Sequence, residues 1–143
     1  MNRSCNHDAK GFEIWMQKMN QLRQQFDNIT WRPAVQSFTV RDSYRLTGVY
    51  EIRNENEVIY IGGNPFCSNV RDCLNAHFSG NDGLAIGAYL TSNAAANWNK
   101  IYVRWMPAKN PPEVVYYLLQ EYRMRHGCYP KFNQVPREND PCS

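Results

Sequence analysis

Long hydrophobic runs are missing from this sequence. No apolar stretch approaches the ~18 residues that a membrane-spanning helix needs, and the mean hydropathy is −0.65. The first eight residues, Met1-Asn2-Arg3-Ser4-Cys5-Asn6-His7-Asp8, are polar and hold no apolar core, so a secretory signal is not expected and an intracellular protein is. A Lys/Arg block is absent as well. Sixteen Lys and Arg are scattered against 13 Asp and Glu, giving a net charge of +3 and a pI near 8.6. That permits a nucleic-acid partner without requiring one, since dedicated nucleic-acid modules often exceed a pI of about 9.

The cysteines lack a pattern. Cys5, Cys67, Cys73, Cys128 and Cys142 are odd in number and none forms a C-x-x-C pair, so a reducing cytosolic or nuclear setting is expected rather than a disulfide framework. Zinc has too few clustered ligands. Only Cys73 and His77, four residues apart, would share a helical face, and a structural zinc site takes four. The same pair raises a second reading, in which His77 lowers the Cys73 pKa and makes a reactive thiol.

What the chain does have is core material. Of its 143 residues 43% are hydrophobic and 13% aromatic, enough for one domain that folds without staples. Residues 1–9 read as a loose tail. From Lys10 to Asp27, Phe12, Trp15, Met16, Met19, Leu22 and Phe26 recur at three- and four-residue steps, the pattern of an amphipathic helix. Its stripe serves either the domain core or a homodimer seam. Residues 29–42, with Pro33 barring helix, are expected to lie extended as an edge strand or a wrap.

A hairpin follows. Gly48-Val49-Tyr50-Glu51-Ile52-Arg53 and Val58-Ile59-Tyr60-Ile61-Gly62-Gly63 flank the polar turn Asn54-Glu55-Asn56-Glu57. Ser68 or Asn69 caps a helix from Val70 to Phe78, closed by the turn residues 79–83. Residues 84–98 read as a second short helix or an irregular segment. Residues 100–106 alternate as a third strand, ended by Pro107. Pro111-Pro112 opens a last helix to His126, with Val115, Leu118, Leu119 and Tyr122 on one stripe and Gly127 as its stop. Tyr129 to Asn133 form an aromatic turn, and a polar tail ends the chain.

This order resembles the GIY-YIG nuclease family over residues 46–134. Gly48-Val49-Tyr50 stands as the first motif, Tyr60-Ile61-Gly62 as the second, and Pro130-Lys131-Phe132-Asn133 as the closing one. The resemblance implies an α+β domain with a three-stranded antiparallel sheet flanked by helices, to which residues 1–45 add the amphipathic helix and extended segment and 135–143 the tail. It further implies phosphodiester cleavage with Mg²⁺ or Mn²⁺, a nucleic-acid partner, and site roles for Tyr50, Tyr60, His77 and Asn133.

The charged groups depart from the family. Its Arg-Leu-x-x-His pattern falls here on Cys73-Leu74-Asn75-Ala76-His77, so Cys73 stands at the arginine position. Arg71 is turned by roughly 200° from Cys73 on a helix and is a poor substitute. Val115 stands at the position of the metal-binding glutamate, with Glu113 and Glu121 as nearby replacements. Two readings follow: a degenerate domain that holds nucleic acid or a protein partner, or an active metal-dependent endonuclease whose charges have moved to Arg71 and Glu121 or Glu113.

Overall fold

The structure is a computed structural model. It describes residues 2–37, 45–63 and 67–133, and of residues 2–8, 36 and 37 it describes only the backbone. Helix α1 runs over Asn2–Asp27. The residues expected as a loose tail are therefore its first turns, since nothing before Gly11 breaks a helix. Strand β1, Arg32–Pro33, follows, then a single helical turn α2, Ala34–Ser37. The expected edge strand is there, but it is two residues long and gives way to helix, and residues 38–42 of that extended segment lie outside the described residues.

Strands β2, Gly48–Asn54, and β3, Glu57–Gly63, form the hairpin, and β4 covers Ile101–Pro107. The sheet has four antiparallel strands in the order β1-β4-β2-β3, rather than three. The fourth is β1, where Arg32 pairs with Val103 and Pro33 with Tyr102. Pro33 fits because β1 is an edge strand, where a missing N–H harms least.

Helix α3, Val70–Ser79, is capped by Asn69, whose side chain accepts from the Asp72 N–H at 2.8 Å. It ends at Gly80 in the left-handed region, φ 74°. Helix α4, Ala85–Leu90, and a 3₁₀ segment, Asn93–Trp98, occupy the ambiguous stretch. In that segment Ala96, Asn97 and Trp98 all have positive φ, which no propensity argument anticipates. The Trp98 indole N–H donates to the Leu90 carbonyl at 2.7 Å and its ring meets Phe78 edge-on, which holds the strained turn in place. Helix α5, Pro111–His126, starts with proline and stops at Gly127, φ 85°.

Strand alternation divides the core into two faces. Tyr50, Ile52, Tyr60, Val103 and Trp105 pack toward α3 and α4 with Cys73, Leu74 and Ile86. Val49, Ile61 and Met106 point the other way, against Phe26 of α1 and Leu118 and Tyr122 of α5. Burial of each large apolar side chain here contributes about 1.5–3 kcal/mol. The second half of α1 thus serves the core through Met19 and Phe26, while Phe12 and Ile14 in its first half are exposed.

The α1–α5 face also holds buried charge. Glu51, with no exposure at all, is gripped by Arg23 through Nη1 at 2.8 Å and Nη2 at 2.9 Å, and by Arg104 through Nε at 2.8 Å. Glu51 and Arg104 are direct cross-strand partners, so the sheet register itself brings them together.

Candidate active site

The hairpin register decides where the two tyrosines stand. Tyr50 faces Gly62, and Ile52 faces Tyr60, so the tyrosines are diagonal neighbours on one face. Their ring centroids are 6.2 Å apart. The glycine is a steric requirement: a Cβ on Gly62 would come within 2.6 Å of both the Tyr50 hydroxyl oxygen and the Tyr60 ring. Real Cβ contacts are not that short, so the Tyr50 ring occupies space that only glycine leaves open.

Helix α3 delivers His77 to this face, with ring centroids 5.6 Å from Tyr50 and 5.0 Å from Tyr60. The Tyr50 hydroxyl lies 2.6 Å from His77 Nε2, and the Asp82 carboxylate lies 2.6 Å from His77 Nδ1. Asp82 comes from the turn after α3, which folds back through Gly80 and closes with the Leu84 N–H donating to Asp82 at 2.8 Å. Helix α4 approaches over it with bare backbone, because any side chain on Gly87 would overlap the Asp82 carboxylate.

The three groups form one hydrogen-bonded chain, Tyr50 to His77 to Asp82. Burial holds His77 below its ordinary pKa, opposed by the Asp82 carboxylate. The imidazole is therefore neutral at pH 7, with Nδ1–H donating to Asp82 and Nε2 accepting from the Tyr50 O–H. Burial also pushes Tyr50 well above its usual value and Tyr60 up to about 12, with Asp82 adding to both. Both phenols stay protonated, and the chain can pass a proton only from Tyr50 to His77. Its members are enclosed: Tyr50 is 2% and His77 4% exposed.

Cys73 is bonded to Cys67, with Cα atoms 5.5 Å apart. This corrects the expectation of reduced cysteines throughout and rules out both the reactive Cys73 thiol and a Cys73–His77 zinc pair in this form. The disulfide lines a cavity of about 250 Å³ together with Tyr50, Ala76, His77 and Asp82. Arg71 is half-buried and forms no ion pair with any described residue.

The remaining expected residues are elsewhere. Val115 packs in the α1–α5 core, on the opposite side of the sheet. Glu113 is at the surface, its carboxylate 2.6 Å from Lys18. Glu121 is held by Arg125 at 3.1 Å and lies 4.0 Å from Arg23. Helix α5 lies across the sheet from His77, so neither glutamate joins the tyrosines. Asn133 braces the hairpin, its carboxamide accepting from the Ile61 N–H at 3.0 Å and donating to the Ile61 carbonyl at 2.8 Å.

Mg²⁺ or Mn²⁺ would require several oxygen ligands. Among the described residues, Asp82 is the one carboxylate lining the Tyr50 cavity, and both its oxygens are already bonded. Among the described residues, no three His, Cys, Asp or Glu side chains converge as a metal group would need. The residues do not fit such an ion. Asp82 itself escaped the sequence reading because it stands in a polar turn; its offset of five residues from His77 is the signal that could have marked it. Compared with known proteins, the chain matches no family model, and neither a curated protein nor a solved structure is significantly similar to it.

Proposed function

We propose that this chain is a GIY-YIG-like domain that interacts with nucleic acid and has lost most or all phosphodiester cleavage. The observation that carries the reading is the composition of the His77 face. The tyrosines and histidine stand together on one face, yet Cys73, which the resemblance aligns with the family arginine, is tied into a disulfide, and the acidic candidates are across the sheet. Charge stabilisation of a phosphoryl transition state needs a cation and a metal-holding carboxylate. A disulfide supplies neither.

The reading includes an intracellular setting, where a nucleic-acid partner is found, and the Cys67–Cys73 bond is then a group that reductants there would open. Among the described residues no helix is long and apolar enough to cross a membrane.

A second reading keeps cleavage, and the Tyr50–His77–Asp82 chain favours it, since a phenol backed by a neutral imidazole is a proton-transfer device. The test is cleavage of single- and double-stranded DNA and RNA with Mg²⁺ and Mn²⁺, run beside Tyr60→Phe. No cutting with salt-sensitive binding is expected. Cutting by the wild type that Tyr60→Phe abolishes would overturn the proposal.

A further inference from the structure

A second cavity, of about 490 Å³, opens on the other face of the sheet, between the hairpin tip and the C-terminal ends of α1 and α5. Three of the arginines that line it lie over aromatic rings. Arg23 and Arg104 each lie over Phe26, Arg104 and Arg53 each lie over Trp31, and Arg53 also lies over its cross-strand neighbour Tyr102. The distances from guanidinium carbon to ring centroid run from 4.2 to 5.6 Å.

Three of the four arginines around the cavity have carboxylates in hand. Arg23 and Arg104 share Glu51 and Asp27, and Arg125 has Glu121. Arg53 has no carboxylate within ion-pair distance among the described residues. Its Nε is buried with no hydrogen-bond partner there, an unusual state for so strong a donor. Partial burial and neighbouring Arg104 both hold its pKa down, against Tyr102, so an anion that meets its outer Nη groups relieves repulsion.

We propose that Arg53 is the anchor of a phosphate-binding site in this cavity. The rings of Trp31 and Tyr102 fix the guanidinium and leave its two Nη groups to a forked oxyanion, a geometry in which arginine binds phosphate well. Fixing the side chain beforehand removes the ordering entropy that this arginine would otherwise lose on binding. His126, Arg125 and Asn56 line the same cavity and add donors around its rim. The phosphate is carried by a nucleic-acid strand or by a free nucleotide. The site is distinct from the Tyr50 cavity and does not depend on whether that face cuts.

The experiment measures binding of three probes: a short single-stranded oligonucleotide with a 5′-phosphate, the same strand without it, and adenosine monophosphate. Arg53→Gln is expected to weaken binding about tenfold or more. For the strand, it should also lower the slope of log affinity against log salt by about 0.7, the value for one phosphate contact. Glu57 is exposed and lines the cavity, so Glu57→Gln should tighten binding about two- to threefold without disturbing the fold. Adenosine monophosphate bound through Arg53 assigns a free nucleotide, and binding by the strands alone assigns nucleic acid.

A folded Arg53→Gln protein that binds as wild type overturns the site while leaving nucleic-acid interaction elsewhere intact. Failure of the wild type to bind any probe, or no gain from Glu57→Gln, overturns it as well.

Discussion

Glu51→Gln is expected to destabilise the fold by roughly 3–5 kcal/mol, the range for removing one partner of a buried ion pair. Glu51 has no exposure and receives both Arg23 and Arg104, whose side chains are 8% and 7% exposed. Glutamine keeps the shape and one acceptor but no charge. Among the described residues, the two guanidiniums would then have only Asp27, itself 56% exposed, and Glu121 at 4.0 Å from Arg23 to answer them. Against a total stability of roughly 5–15 kcal/mol the loss is large. At about 2–4 °C per kcal/mol for a domain near this size, it should lower Tm by roughly 6–20 °C. Urea unfolding followed by tryptophan fluorescence measures it. A loss under about 1 kcal/mol, with an unchanged m value, would refute the claim that this carboxylate neutralises two buried arginines. The variant Arg23→Met, Glu51→Leu, Arg104→Leu should recover much of the loss, as apolar replacements of buried ion pairs often do. If it is as unstable as Glu51→Gln, the fault lies in packing rather than in orphaned charge.

Gly62→Ala should cost about 1–3 kcal/mol by overpacking and should break the Tyr50–His77 hydrogen bond, visible as a shifted His77 ring signal by NMR. A fully stable Gly62→Ala protein with that signal unchanged would contradict the tyrosine placement. Stability should also depend on pH in a defined direction. His77 titrates near 6.5 when unfolded and lower when folded, so the unfolded chain takes up the proton first. The contribution is full above about pH 6.5 and is lost as pH falls through the folded value; His126 shifts the same way. His77→Gln should flatten that acid limb in a folded protein, and an unaltered limb would show that His77 is not buried neutral. At the alkaline end the raised Tyr50 and Tyr60 values give stability that is lost as pH rises from about 10 toward 12.

The local signals in the sequence carried a good deal of this. The hairpin, the Asn69 cap, the proline start of α5 and its Gly127 stop all arise from contacts within a few residues, where periodicity and turn chemistry are informative. The candidate site was half legible for the same reason. Tyr50, Tyr60 and His77 were marked by motif spacing, but Asp82 reaches His77 only because Gly80 reverses the chain and Gly87 lets α4 close over it. Cys67 and Cys73 straddle the start of α3, so a helical wheel that aligns Cys73 with His77 says nothing about Cys67. Glu113 and Glu121 were sensible by sequence distance, yet the side of the sheet on which α5 packs is a tertiary fact. The Arg23–Glu51–Arg104 cluster joins three elements far apart in sequence, and no short-range pattern announces it.

The clasp made by Asn133 and Phe132 on β3 has a consequence for assembly. β3 is an outer strand of the sheet, and outer strands normally offer a free row of N–H and C=O groups to any passing chain. Here the Asn133 carboxamide takes both groups of Ile61, and the Phe132 N–H takes the carbonyl of Ile59, so a side chain and a turn act as a stub of a fifth strand. A partner that grips proteins by adding a strand would have to displace this stub first. A protein cut before Phe132 would expose the edge and become liable to edge-to-edge aggregation.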